Sequence, residues 1–177
     1  DSIGAQWFSI LPEIFPSPTW RIIVLTKSAC PIVDENIFYQ RIGKIYKVCT
    51  DWRNSAIEEI EKIRPDIVFI GSSSRYDFNE KQWTQGSARI FKRLSESAGK
   101  IIVITGTPSL EFDGPSCVAQ YLTRKGQVDS TACQSRPSMH TVKIVTDYLT
   151  QASADTPKVH VVNFNDIVCP NDSCSAI

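Results

Sequence analysis

The sequence predicts an α/β domain: a flavodoxin-like parallel sheet covered on both faces by helices, three α/β/α layers in all. Three observations predict it. The apolar, β-branched runs WRIIVLTK, DIVFIG, KIIVIT and KVHVV alternate with amphipathic stretches, the pattern of strands separated by helices. The runs are near-continuous in apolar residues, as strands buried on both faces are. The 177 residues, 42% apolar and 21% charged, suit a single domain over residues 1–177 with a sizeable core.

The elements follow in order. Residues 3–15 read as an amphipathic helix and residues 20–27 as a buried strand. NSAIEEIEKIR (54–64) is a helix with Ile57, Ile60 and Ile63 on one side, ended by Pro65. Residues 66–74 are the next strand and its exit turn. Residues 80–98 are a helix with Trp83, Ile90, Phe91 and Leu94 inward. Residues 100–108 are a strand. Residues 109–138 lack periodicity, are rich in Ser, Gly and Pro and hold two cysteines, which predicts a long functional loop or lid. MHTVKIVTDYLTQA (139–152) is a helix and residues 158–166 the last strand. A flavodoxin-like sheet has about five strands, so the expectation is that a further strand lies immediately upstream of Asp1 and that the domain is truncated there.

Nineteen basic residues balance nineteen acidic ones, which gives no electrostatic case for nucleic acid or an anionic membrane as the partner of the whole domain. Six cysteines, an even count, favour disulfides in an oxidising compartment. Sequential pairing, Cys30–Cys49, Cys117–Cys133 and Cys169–Cys174, is expected because each pair closes a loop leaving or entering a strand. Zinc is the rival reading, but no pair has CxxC spacing and the two histidines lie far from a ligand pattern. No metal and no cofactor are expected.

Open α/β sheets place their sites at the carboxyl ends of the strands. Here those ends are Asp1–Ser2, Lys27–Cys30, Gly71–Arg75, Gly106–Pro108 and Asn163–Asp166. Ser2 stands at the start of the first helix, where backbone N–H groups favour a developing oxyanion. A plain helix cap is the simpler role for an Asp-Ser pair.

The wider stretch favours chemistry. DSIGAQW resembles the block that opens SGNH-type hydrolases and transferases, Gly-Asp-Ser followed by a helix. LTKSACP, CTDWR, RPDIVFIGSSSR, IIVITGTPSLEFDGPSC and VVNFNDIVCPNDSC follow in the order of one subgroup. That subgroup is the SGNH domain fused to bacterial acyltransferase family-three membrane proteins, which O-acetylate surface glycans. The resemblance implies that Ser2 is the nucleophile and that Asp1 supports the turn. It implies that the oxyanion donors are Ser28 and Ser73, with Arg75 contributing charge. It also implies a membrane acyltransferase domain in the same full-length chain, a glycan acceptor, and a periplasmic location tethered to the inner membrane.

The sequence departs from this pattern in two places. The family's base is a histidine on Asp-x-x-His, but Pro137 and Pro157 stand three residues before His140 and His160. His160 reads as a strand residue and His140 as an exposed helix start. The expectation is that the base lies beyond Ile177 and that residues 1–177 alone show no serine-dependent esterase activity. At the oxyanion positions the usual glycine and asparagine are replaced by residues around Ser28 and by Ser73. Trp7, Trp20, Trp52 and Trp83 read first as packing residues, with Trp7 near enough to Ser2 to stack on a sugar. Two alternatives stay open: a stand-alone esterase that removes acetyl groups from glycans, and a non-catalytic glycan-binding module.

Overall fold

The computed structural model describes residues 1–125 and 132–176. Helices α1 (Ser2–Gln6) and α2 (Leu11–Ile14) lead into an extended segment, then a hairpin of β1 (Phe38–Tyr39) and β2 (Lys44–Ile45). Next come α3 (Lys47–Ile63), β3 (Ile67–Gly71), α4 (Glu80–Ser95) and β4 (Lys100–Ile104). The rest is α5 (Gly114–Lys125), β5 (Gln134–Ser135), α6 (His140–Ser153), β6 (Val159–Val162), α7 (Asn165–Val168) and β7 (Cys174–Ser175).

Strands β3, β4 and β6 pair in parallel, in that order. The register aligns Val68 with Ile101 and Val159, and Ile70 with Val103 and Val161. Side chains alternate across a strand, so these six share one face. There they pack with Ile57 of α3, Ile90, Phe91 and Leu94 of α4, and Ala152 of α6. This is the main core. Helix α4 enters it cleanly because Asn79 and Gln82 form a reciprocal capping box. Helix α3 leaves it through Arg64 in the left-handed conformation, just before Pro65.

The opposite face carries the row Phe69, Ile102, His160. It is more thinly covered: Phe15 meets Phe69 edge-on at 5.7 Å, and His160 is exposed. The layering is therefore α/β/α in order but unequal in thickness.

Several expectations need correction. Residues 20–27 form no strand. A strand exists only through a partner's backbone, and an apolar groove of about 420 Å³ lies between residues 20–26 and β3. Apolar content alone therefore made no ladder. The helix expected over 3–15 is broken in two, because Pro12 lacks an N–H and restarts the turn at Leu11. Helix α3 begins at Lys47, upstream of the expected residue 54. Its first turns bury Cys49 and Arg53 rather than an isoleucine stripe. The loop expected over 109–138 contains α5, nucleated by the Asp113 carboxylate, which accepts from the Ser116 N–H at 2.8 Å. It contains β5 as well. Helix α5 buries almost nothing beyond Gly114, which is why no periodicity marks it. Residues 126–131 of that loop lie outside the described residues.

Three disulfides join Cys30 to Cys49, Cys117 to Cys133 and Cys169 to Cys174, with Cα separations of 5.4, 5.8 and 4.2 Å. The last two flank the antiparallel β5–β7 pair, Gln134 against Ser175 and Ser135 against Cys174. Trp83 is buried, and Trp52 packs on the Cys30–Cys49 cluster. Trp20 is not a core residue: it lies at the surface against Phe15.

Candidate active site

The chain enters at the carboxyl end of β3. The Asp1 backbone nitrogen donates to the Gly71 carbonyl at 3.3 Å. Gly4 then lies directly on Gly71: a Cβ on Gly4 would sit 2.7 Å from the Gly71 oxygen, and one on Gly71 would sit 2.8 Å from the Gly4 Cα. Both positions need glycine because backbone meets backbone. This contact seats α1 on the tip of the sheet.

The half-buried Asp1 carboxylate caps α1 and ties it to the next loop. One oxygen accepts from the Ile3 N–H at 2.9 Å. The other accepts from the Ser73 N–H at 3.0 Å and from the Tyr76 hydroxyl at 2.7 Å. A carboxylate with both oxygens engaged in this way orients the turn. Ser2 itself is the first residue of α1 and is exposed.

Tyr76 has no counterpart in the sequence reading. Its ring stacks on Phe78 at 6.1 Å, and Phe78 meets the buried Trp83 edge-on at 5.5 Å. An aromatic column thus runs from the core to the Asp1 carboxylate. The only trace in the sequence is a tyrosine three residues after Ser73, and its partner lies 75 residues away. The phenol pKa is raised, chiefly by burial and secondarily by Tyr39 and Tyr46. An ordinary tyrosine ionises near pH ~10. Above that pH the unfolded chain gives up a proton that the folded chain keeps, so this group's share of stability falls as pH rises. In an absorbance titration of tyrosinate, one of the five tyrosines is expected to ionise late. Tyr76→Phe should remove that step and flatten the alkaline loss of stability. A wild-type titration with no late step would refute the burial.

The other expected site residues are spread around the same edge. Ser73 gives its N–H to Asp1, and its hydroxyl oxygen accepts from the Arg75 N–H at 3.2 Å. Its hydroxyl proton is the donor that remains. Arg75 reaches Ser109 at 3.5 Å across the β4 exit and forms no ion pair with Asp77 among the described residues. Ser28 is exposed in a turn beside Ala29, which is left-handed at φ 53°. Trp7 packs on Phe164 of the β6 exit at 5.3 Å, so α1 is braced against the far strand. His140 opens α6 and is exposed. His160 lies in the first half of β6, two strands from β3 and roughly 10 Å across the sheet. The structure does not bring either histidine to Ser2.

An exposed serine thus stands at the carboxyl edge of a parallel α/β sheet, where α/β domains place their sites, on a turn held by a carboxylate. The chain belongs to the SGNH domain family, of the kind fused to AT3 domains; the family's model matches residues 1–177. Its fold is similar to that of the Salmonella ser. Paratyphi A lipopolysaccharide acetyltransferase periplasmic domain, with a TM-score of 0.55 at 16% identity over 82% of this chain. The chain corresponds to 54% of that neighbour's length. No protein of curated function matches it.

Proposed function

We propose that this domain transfers an acetyl group through Ser2 to a hydroxyl of a cell-surface glycan, as the extracytoplasmic part of a membrane O-acetyltransferase. The observation that carries the reading is the Asp1 clamp. Three donors fix the carboxylate, and the clamp holds an exposed Ser2 at the sheet edge. In the reaction the Ser2 oxygen attacks the carbonyl carbon of an activated acyl donor while a base takes its proton. The leaving group departs with a proton, and the glycan hydroxyl then attacks the acyl-serine, regenerating Ser2. Ser73 and Arg75 are the oxyanion and substrate candidates of this chain, with Ser28 on the facing turn. The reaction needs a base to accept the Ser2 proton, and neither His140 nor His160 is brought to Ser2.

The three disulfides support an oxidising, extracytoplasmic compartment. No helix among the described residues is long and apolar enough to cross a membrane. The family's fusion to AT3 domains supports a membrane domain in the same protein as the source of acyl groups. The test is transfer of labelled acetyl by the full-length protein. Label is expected in the glycan as a base-labile ester. Label released only as free acetate would establish the esterase reading, in which water is the acceptor. No turnover with any donor, alongside retained glycan binding, would establish a binding module.

A further inference from the structure

One surface element meets the site only through Tyr39 and Tyr46, which face Tyr76. The β1–β2 hairpin projects from the body, its strands in register as Phe38 with Ile45 and Tyr39 with Lys44. Gly43, left-handed at φ 63°, closes the turn. The two faces of the hairpin differ. Tyr39 stacks on Tyr46 at 5.0 Å, and Tyr46 packs on the Cys30, Ile37 and Cys49 cluster. That face is fixed to the protein, and the Cys30–Cys49 bond anchors its base. The other face is free. Phe38 is 60% exposed, Ile45 49%, Ile42 at the turn 46%, and Val48 beside it on α3 59%.

Cations flank these apolar groups, Arg41 at the turn and Lys47 at the start of α3, with Lys44 on the strand edge opposite Tyr39. Arg41, Lys44 and Lys47 are all exposed, and none forms an ion pair among the described residues. Residues 36–50 contain no acid. The flanking Glu35 is already paired with Arg89 at 2.8 Å, and Asp51 lies beyond the segment on α3. A fourth cation, Lys27, sits 5.7 Å over the Tyr46 ring. In a chain of zero formal net charge this is a local separation of charge. It coincides with the apolar patch.

We propose that the 38–48 hairpin surface docks on an anionic lipid bilayer. Phe38, Ile42, Ile45 and Val48 would enter the acyl boundary, and Arg41, Lys44 and Lys47 would meet the headgroup phosphates. Charge complementarity selects the anionic surface. The aliphatic side chains select lipid over a soluble polyanion, which would leave them in water. The surface is independent of the acyl chemistry of Ser2, and its failure would leave that reading standing.

The test is co-sedimentation of the 177-residue chain with phosphatidylglycerol vesicles and with phosphatidylcholine vesicles. Binding is expected to the first and not the second, weakening with salt. Each of Arg41→Gln, Lys44→Gln and Lys47→Gln should lower affinity roughly fivefold. The pair Phe38→Ser with Ile45→Ser should lower it about tenfold or more. These side chains are exposed, so circular dichroism should be unchanged in every variant. No binding to phosphatidylglycerol would overturn the proposal. So would binding that the Ser pair leaves intact, because adsorption would then be electrostatic alone. A lipid-free dimer that covers Phe38 would overturn it as well.

Discussion

Replacing Ser2 by alanine in the full-length protein is expected to lower acetyl transfer by about three orders of magnitude or more, with kcat taking the loss. In the proposed reaction the Ser2 hydroxyl is the atom that bonds to the acyl group. Ser73 has given its amide to Asp1 and its oxygen to the Arg75 N–H. The change should leave the fold intact. Ser2 is exposed, and the cap of α1 is the Asp1 side chain, which the substitution does not touch. Initial rates measured beside a thermal melt separate the two effects. A variant with wild-type rate would remove Ser2 from the mechanism. A variant with a lowered midpoint would mean that the loss reflects folding.

The second large effect concerns stability. Replacing Cys30 and Cys49 together by alanine should cost about 3 kcal/mol, from the chain entropy of the 19-residue loop that the bond closes. For a domain of this size that lowers the melting midpoint by about 6–12 °C. Both sulfurs are buried in the cluster that supports Tyr46 and Trp52, so the base of the hairpin and the first turn of α3 should loosen before the sheet does. The Cys169–Cys174 bond spans only five residues, and its removal should cost less, about 2 kcal/mol. Calorimetry on the two double variants checks the order. An equal or reversed ranking would show that strain or packing outweighs loop entropy.

The sequence carried the central sheet because β3, β4 and β6 are near-continuous runs of Ile and Val, although only one face of the sheet is deeply buried. It carried α4 and α6 through their periodicity, and the disulfides through the closeness of each pair along the chain. Residues 20–27 look the same as β3 on paper. A strand, though, is defined by hydrogen bonds to a neighbour, and composition cannot supply the neighbour. Helix α5 fails in the opposite sense: held by Asp113 and a disulfide, it needs no apolar stripe and shows none. Arg53 is almost wholly buried, with its guanidinium on the Glu35 carbonyl at 3.1 Å. No local pattern announces a buried arginine. At the candidate site, Asp1, Ser2 and Ser73 were legible as residues. The Tyr76 contact was not, since it exists only after β3, its exit loop and the chain start have been brought together.

The meeting of Gly4 and Gly71 separates two properties that most enzymes entangle. The hydroxyl of Ser2 is located by main chain resting on main chain, remote from the side-chain jigsaw beneath α3, α4 and α6. Drift in that jigsaw can make the protein melt sooner without shifting the Ser2 hydroxyl. Any side chain acquired at either glycine would meet backbone at under 3 Å, push α1 off the sheet and displace the Ser2 hydroxyl with it. Natural variation is thus free to tune robustness across the core, while these two positions stay closed to it.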